Sequence, residues 1–195
     1  MGGIKSAIEI AMEKVEKLDK ATEEERLKWR YIPEGEKLAV KYLKQDCNLV
    51  VEMSQYEENI AKYVIEGASD ILIRNISLPK NDLAKSNNRK AMDGLKNLKR
   101  DKVGVENVFS QIRRVFNHYV EQGEQQRRQA YESLKTECEA KIQQVIQQQT
   151  GSVGIKIDVE RHPQFQEEWL KIQAQLDLQY LKHLDEYKQE LLSIP

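Results

Sequence analysis

The 195-residue chain carries 31 lysines and arginines against 32 aspartates and glutamates, so its formal net charge is -1 at pH 7. A balance this close to neutral excludes an overall field that would draw the chain to nucleic acid or to an anionic membrane. The hydrophobic share of 39% is low and the charged share of 32% is high for a globular protein. This composition favours long helices that each bury one apolar stripe.

The cysteines and the N-terminus are typical of a cytoplasmic protein. Cys47 and Cys138 are the only cysteines in the sequence, and two isolated thiols form neither a disulfide framework nor a zinc site. Charged residues interrupt every apolar run near the N-terminus, so no secretory signal is expected. No stretch approaches the roughly 20 apolar residues that a membrane-spanning helix needs. We therefore expect a cytoplasmic protein without a membrane partner.

The first half of the chain, residues 1–102, is predicted to be an N-terminal helical region. Thr22 stands three residues before a glutamate, which is the spacing of a capping box, and the short helix that it starts is expected to end at Pro33. Residues 34–74 contain no proline and only Gly67 as an interior glycine. We therefore predict one long central helix over about 34–74, and a further short helix that ends near residue 101.

The second half, residues 103–195, is predicted to be a long antiparallel hairpin with helices over about 105–149 and 164–192. Each helix has apolar residues at alternating steps of three and four, and a short connection makes two such helices pack antiparallel. A polar stretch around Gly123 interrupts the first stripe, and whether this glycine bends the helix stays open. The residues expected to carry the packing or an interface are Ile112, Val115, Tyr119, Leu134, Trp169, Ile172, Leu176 and Leu184.

Residues 153–159 are the exception to helix, because valines and isoleucines alternate there with polar residues or glycine, as in a strand. A single strand needs a pairing partner. Residues 71–78 are the one candidate within the chain, and another chain is the alternative. The expected fold class is therefore all-α, as an elongated helical bundle or antiparallel coiled-coil-like hairpin, with a minor β element around 153–159.

The sequence contains no motif for catalysis, for a cofactor or for a metal. None of the three histidines stands in a Glu-x-x-His pair, and there is no Gly-x-Ser-x-Gly elbow and no glycine-rich phosphate loop. His118 and Glu121 share a helix face, which is more typical of a surface ion pair than of a metal site. We therefore expect a non-enzymatic protein without a cofactor, and a site assembled from distant residues is the alternative.

A basic segment at 85–102 is the strongest indication of a specific partner. Lysines and arginines of this kind neutralise phosphates in bulk, although the segment has no aromatic residue for base stacking. Only two aspartates oppose its charge. The candidate nucleic-acid contacts are Lys85, Arg89, Lys90, Lys96, Lys99, Arg100 and Lys102.

The run Lys5-Ser6-Ala7-Ile8-Glu9-Ile10-Ala11-Met12-Glu13-Lys14 resembles the start of a small uncharacterised bacterial family of helical proteins. The resemblance is carried mainly by residues 5–20. It implies a bacterial cytosolic protein of an all-helical family, and because that family has no assigned activity, it supplies no functional residues.

The apolar stripes exceed what one compact core of this length can bury, and the strand at 153–159 lacks an obvious partner. Both features favour a helical scaffold or assembly protein that pairs with itself as a homodimer or with another protein. A nucleic-acid-binding accessory factor that uses the basic segment is the alternative function.

Overall fold

The computed structural model describes residues 6, 21–45, 47–150 and 158–195, and their fold is all-α. In chain order the elements are α1 (Glu23–Lys44), α2 (Leu49–Met53), α3 (Glu58–Arg74), α4 (Asp82–Leu98), α5 (Lys102–Thr150), a 3-10 turn (Val159–Arg161) and α6 (Pro163–Ser193). No strand occurs within these described ranges. The predicted fold class, all-α, is confirmed.

The predicted β element falls mostly outside the described residues, which omit 153–157. Its last residue, Val159, is buried and begins the 3-10 turn instead of ending a strand. The proposed pairing partner, 71–78, is not a strand either, because its first four residues form the last turn of α3.

The prediction of one long helix over 34–74 is wrong, and so is the expectation that a helix ends at Pro33. Helix α1 begins at the capping box, where Thr22 Oγ1 accepts from the Glu25 N–H at 3.2 Å and the Thr22 N–H donates to the Glu25 carboxylate at 2.8 Å. It then continues through Pro33 to Lys44. A proline in a helix interior is costly, and burial of the following residues Gly35, Leu38 and Ala39 against neighbouring elements offsets that cost.

Local hydrogen bonds explain why the helix does not run on to residue 74. The Asn48 side chain accepts from the Val50 N–H at 3.0 Å and so starts α2, and the Ser54 hydroxyl donates to the carbonyl of Val51 at 2.7 Å as α2 ends. Asparagine and serine side chains compete with the helical backbone in this way. Helix α3 then starts from Glu57, whose backbone is extended.

The described chain divides into two compact units. Unit 1 comprises the described residues up to Ile76 together with Ser86–Val105 and Ile194–Pro195, and unit 2 comprises Ser77–Lys85 and Glu106–Ser193. Each unit has its own buried apolar residues. Those of unit 1 include Leu49, Val64, Leu72, Ile76 and Leu95, and those of unit 2 include Val108, Phe109, Ile112, Leu184 and Leu191.

In unit 1, two glycines bring the backbones of α1 and α3 into direct contact. A Cβ atom on Gly35 would lie 2.0 Å from the carbonyl oxygen of Val64, and one on Gly67 would lie 2.1 Å from the carbonyl oxygen of Ile32. Both distances are far below a van der Waals contact. These two helices can therefore approach this closely only with glycine at both positions.

In unit 2, α5 and α6 pack antiparallel, because contacts further along α5 reach residues earlier in α6. The Tyr119 ring meets the Tyr180 ring edge-on at a centroid distance of 5.1 Å. Twelve residues later on α5 (residue 131 against 119), the Tyr131 ring meets Phe165 at 5.3 Å and Trp169 at 5.0 Å. Helix α5 continues through Gly123, which lies close to the Tyr180 hydroxyl.

Candidate functional site

Unit 2 contains a cleft of about 500 Å³. It lies between residues 77–85 and helices α5 and α6, and we call it the Tyr119 cleft. Its volume is in the range of small-molecule sites. Its lining is mixed in charge and contains three cationic side chains. The lining residues are Pro79, Lys80, Lys85, Tyr119, Val120, Glu124, Arg127, Gln173 and Asp177.

Asp177 is the buried carboxylate of the Tyr119 cleft, with 6% of the residue exposed. The Tyr119 hydroxyl donates to Asp177 Oδ1 at 3.0 Å, and Lys80 Nζ lies 2.6 Å from Oδ2. Burial, followed by the hydrogen bond to Asp177, raises the pKa of Tyr119 to about 12. The phenol therefore stays protonated at neutral pH and acts as a fixed donor to the carboxylate.

Arg127 covers one face of the Tyr119 ring. Its Cζ lies 4.3 Å from the centroid of the Tyr119 ring, a cation–π geometry, and Nη2 donates to the Tyr119 carbonyl oxygen at 3.3 Å. Nη1 is buried and has no hydrogen-bond partner in the described part of the chain. Gly123, one turn earlier on α5, leaves room for this group, because a Cβ there would lie 3.1 Å from Nη1.

The cationic and polar side chains of this cleft are suited to binding a ligand. Tyr119, Lys80 and Asp177 form one connected network, and the guanidinium of Arg127 lies over the ring of the same tyrosine. His118, the histidine considered above as a metal ligand, instead contacts the Tyr180 hydroxyl through Nδ1 at 3.0 Å. Within the described ranges, no three histidine, cysteine or acidic side chains lie together as metal ligands would.

The eight predicted packing residues all lie in unit 2 and differ in exposure. Ile112, Tyr119 and Leu184 are buried. The remaining five are half-buried, and they are Val115, Leu134, Trp169, Ile172 and Leu176. Their share in an interface between chains stays a prediction.

A second row of apolar side chains lies on α6 and is exposed. Leu170 and Leu178 are each 65% exposed, Leu181 is 39% exposed, and Ala174 is exposed as well. Their spacing of four, four and three residues places them on one side of the helix, away from the buried Tyr180. We call these four residues the outer α6 stripe.

The seven residues of the predicted nucleic-acid segment do not form one free basic surface. Lys85 belongs to unit 2, where its ammonium lies 3.0 Å from Asp82, whereas the other six belong to unit 1. Lys99 is only 7% exposed, and its ammonium donates to the carbonyl oxygen of Ile194. Burial lowers the pKa of Lys99.

The remaining basic side chains of unit 1 are mostly engaged with nearby groups. Lys102 Nζ donates to the carbonyl oxygens of Lys96 and Asn97, which are exposed at the end of α4. Lysines commonly satisfy the last carbonyls of a helix in this way. Arg100 lies 3.3 Å from Glu58, and Lys90 donates to the carbonyl oxygen of Gln45 at 3.2 Å. Arg89 and Lys96 are exposed.

Sequence reasoning missed most of the cleft and all of the outer α6 stripe. Of the cleft residues, only Tyr119 and Lys85 are among the predicted site residues, Tyr119 as a packing residue and Lys85 as a nucleic-acid contact. Gln173 and Asp177 stand at i and i+4 inside the apolar stripe of α6, and such a polar pair among anchors is the signal that could have revealed the cleft. The spacing from Leu170 to Leu181 is also visible in the sequence. It is less prominent than the neighbouring stripe on α6, which contains aromatic residues.

No helix in the described part of the chain is both long enough and apolar enough to cross a membrane. Comparison with curated proteins and with solved structures found no match. A protein-family model described as "Family of unknown function (DUF6657)" matches residues 50–193, which include the Tyr119 cleft and the outer α6 stripe. The expected membership of an uncharacterised family is thereby confirmed, and the chain belongs to the DUF6657 family of unknown function.

Proposed function

We propose that the protein is a helical assembly protein and that two copies pair through the outer α6 stripe. The observation that carries this proposal is the exposure of Leu170 and Leu178, 65% each, in one row on a long helix. Aligned leucines on a folded surface mark an interaction site more often than scattered ones do.

The spacing of the outer α6 stripe favours another helix as its partner. Steps of four, four and three residues keep apolar side chains on one seam, which is the pattern of helices that pack side by side. The charges beside the stripe and on the whole chain do not oppose pairing with a second copy. Lys171 is held by Glu167 at 2.9 Å and by Glu168 at 3.1 Å on its own helix. The whole chain carries a formal charge of -1, so two copies repel each other little.

The expected strength of this pairing is moderate. Three leucines per copy are already partly buried, so each gains roughly 1–2 kcal/mol on full burial, or about 6–12 kcal/mol for two copies. Association costs about 4–15 kcal/mol in lost translational and rotational freedom. We therefore expect an equilibrium between monomer and dimer that depends on concentration.

The cytoplasm is the compartment that we propose, because Cys47 and Cys138 are both half-buried free thiols. The nucleic-acid alternative has less support than self-assembly. Of its basic side chains, Lys99 is buried and Lys102 is bound to the end of α4.

Site-directed cross-linking tests the proposed pairing. In a chain with Cys47→Ser and Cys138→Ser, a cysteine introduced as Leu178→Cys is treated with a short bifunctional maleimide. We expect a covalent dimer on a denaturing gel, because the two stripes face each other in the complex.

The matched control is Leu83→Cys in the same background. Leu83 is 71% exposed and lies in unit 2, but it is not part of the outer α6 stripe. Helical content is checked by circular dichroism for both variants. Equal cross-linking at positions 83 and 178 would show random collision and would refute the proposed interface.

A further inference from the structure

We propose that the Tyr119 cleft binds a small organic anion whose charged group is a phosphate or a carboxylate. This binding site is separate from the outer α6 stripe and does not depend on self-assembly. Four of its residues carry the inference, namely Lys80, Lys85, Arg127 and Asp177, together with the hydroxyl of Tyr119.

The charge balance of the cleft favours an anion. Asp177 is neutralised within the cleft, because Lys80 lies 2.6 Å from one of its oxygens and Tyr119 donates to the other. Lys85 and Arg127 then remain as cations. The partner of Lys85 is Asp82, whose side chain is 97% exposed, and an ion pair of that kind is weak. The one other acidic residue of the lining, Glu124, is exposed to solvent.

Arg127 is the group that most needs an acceptor. Its guanidinium has one hydrogen bond, from Nη2 to a backbone carbonyl, and the buried Nη1 has none in the described part of the chain. A buried donor without an acceptor is costly, and native structures normally satisfy it with protein, water or a bound ion. Arg127 lines the cleft, and guanidinium groups bind carboxylate and phosphate in bidentate geometry, so this side chain suits an anion bound there.

The shape of the cleft limits the ligand to a small molecule. About 500 Å³ is enough for a metabolite of a few carbon atoms with one charged group. Pro79 and Val120 offer it apolar contacts, and the Gln173 amide offers a neutral donor and acceptor. The Tyr119 ring is already covered by Arg127 on one face and met edge-on by Tyr180, so stacking of a nucleobase on that ring is not expected.

Calorimetric titration of the full chain tests the proposal with three named probes: inorganic phosphate, glycerol 3-phosphate and succinate. We expect saturable binding of at least one of them, and the preferred probe then tells whether the charged group is a phosphate or a carboxylate. Arg127→Gln should weaken that binding about tenfold or more, since a hydrogen bond to a charged group is lost. No binding by the unaltered protein near 10 mM of any probe, well above a Kd of ~1 mM, would overturn the proposal.

Arg128→Gln is the matched control, because it removes the same charge from the next residue of α5, which is exposed. Its affinity should equal that of the unaltered protein. Equal weakening by both substitutions would mean that only net charge matters and would overturn the site. If Arg127→Gln does not fold, Lys85→Gln replaces it, since Lys85 is exposed and its loss is expected to weaken binding several-fold.

A third variant separates this proposal from self-assembly. Leu170→Glu combined with Leu178→Glu places charges on the outer α6 stripe and leaves the cleft lining unchanged. Anion binding that persists in this variant supports an independent site. Loss of anion binding there, with normal helical content, would contradict the separation of the two sites.

Discussion

At the scale of single residues, the carboxylate of Asp177 depends on its two partners. A buried carboxylate is costly without donors on its oxygens, and Tyr119 and Lys80 supply one each to Asp177. The same tyrosine carries Arg127 on its ring. Tyr119 thus contacts both the buried acidic residue and one of the basic residues of the cleft.

Tyr119→Phe is expected to lower the free energy of unfolding by about 1–3 kcal/mol, because it leaves one oxygen of a buried carboxylate unpaired. Urea denaturation followed by circular dichroism measures the change. Tyr187→Phe is the control, since that tyrosine lies in the same unit, on α6, and is half-buried. Its hydroxyl has no hydrogen-bond partner among the residues that the structure describes. Equal losses in both variants would contradict the role given to the Tyr119 hydroxyl.

The raised pKa of Tyr119 predicts a loss of stability at alkaline pH. In the unfolded chain this phenol ionises near its ordinary pKa of 10.0, whereas in the folded chain it holds its proton until about 12. The folded state therefore binds more protons between these values, and stability falls as pH rises through them. Tyr119→Phe should make the unfolding free energy less dependent on pH in this window. An unchanged dependence would show that the phenol is not held in its neutral form.

Residues of the cleft were only partly predictable from the sequence. Tyr119 follows from the apolar spacing of α5, and its burial agrees with that pattern. Arg127 does not follow, because a charged residue on a long polar stretch is usually solvated. Its place over the Tyr119 ring depends on the missing side chain of Gly123 and on the meeting of α5 with α6, which no local pattern encodes.

At the scale of elements, the crossing of α1 and α3 depends on a pair of glycines. Gly35→Ala or Gly67→Ala would place a methyl group about 2 Å from a backbone carbonyl oxygen of the other helix. The helices would have to separate, and we expect a loss of about 1–3 kcal/mol in unfolding free energy for each, despite the better helix propensity of alanine.

Gly104→Ala gives the contrast for these variants. At that position the nearest atoms belong to the side chain of Asp101, which can move, so a smaller loss is expected. Thermal unfolding compares the three variants. A loss for Gly35→Ala no greater than for Gly104→Ala would contradict the close backbone approach.

Helix boundaries were predictable where a strong local signal stood alone. The capping box at Thr22 started a helix as expected, and α5 and α6 have bounds close to those expected, Lys102–Thr150 and Pro163–Ser193. The break after Lys44 does not follow from the absence of proline, because it depends on the side chains of Asn48 and Ser54, which bind the backbone. The helix end expected at Pro33 does not occur, because packing of α1 against other elements outweighs the local effect of the proline.

At the scale of the whole molecule, composition predicted the all-α fold class because low glycine and proline content and a high charge share favour long amphipathic helices. The division into two compact units was not predictable in the same way. Unit 1 takes in Ser86–Val105 and the last two residues, so it is assembled from separate stretches of the chain. Contacts between distant stretches leave no periodic trace in the sequence.

The proposed role also belongs to this scale, because self-assembly through the outer α6 stripe is a property of two complete chains. Its most direct test is the molar mass of the unaltered protein by light scattering behind a sizing column over a range of loading concentrations. We predict a mass that rises with concentration from 22.8 kDa toward twice that value. A mass of 22.8 kDa at every concentration would contradict pairing of the chain with itself.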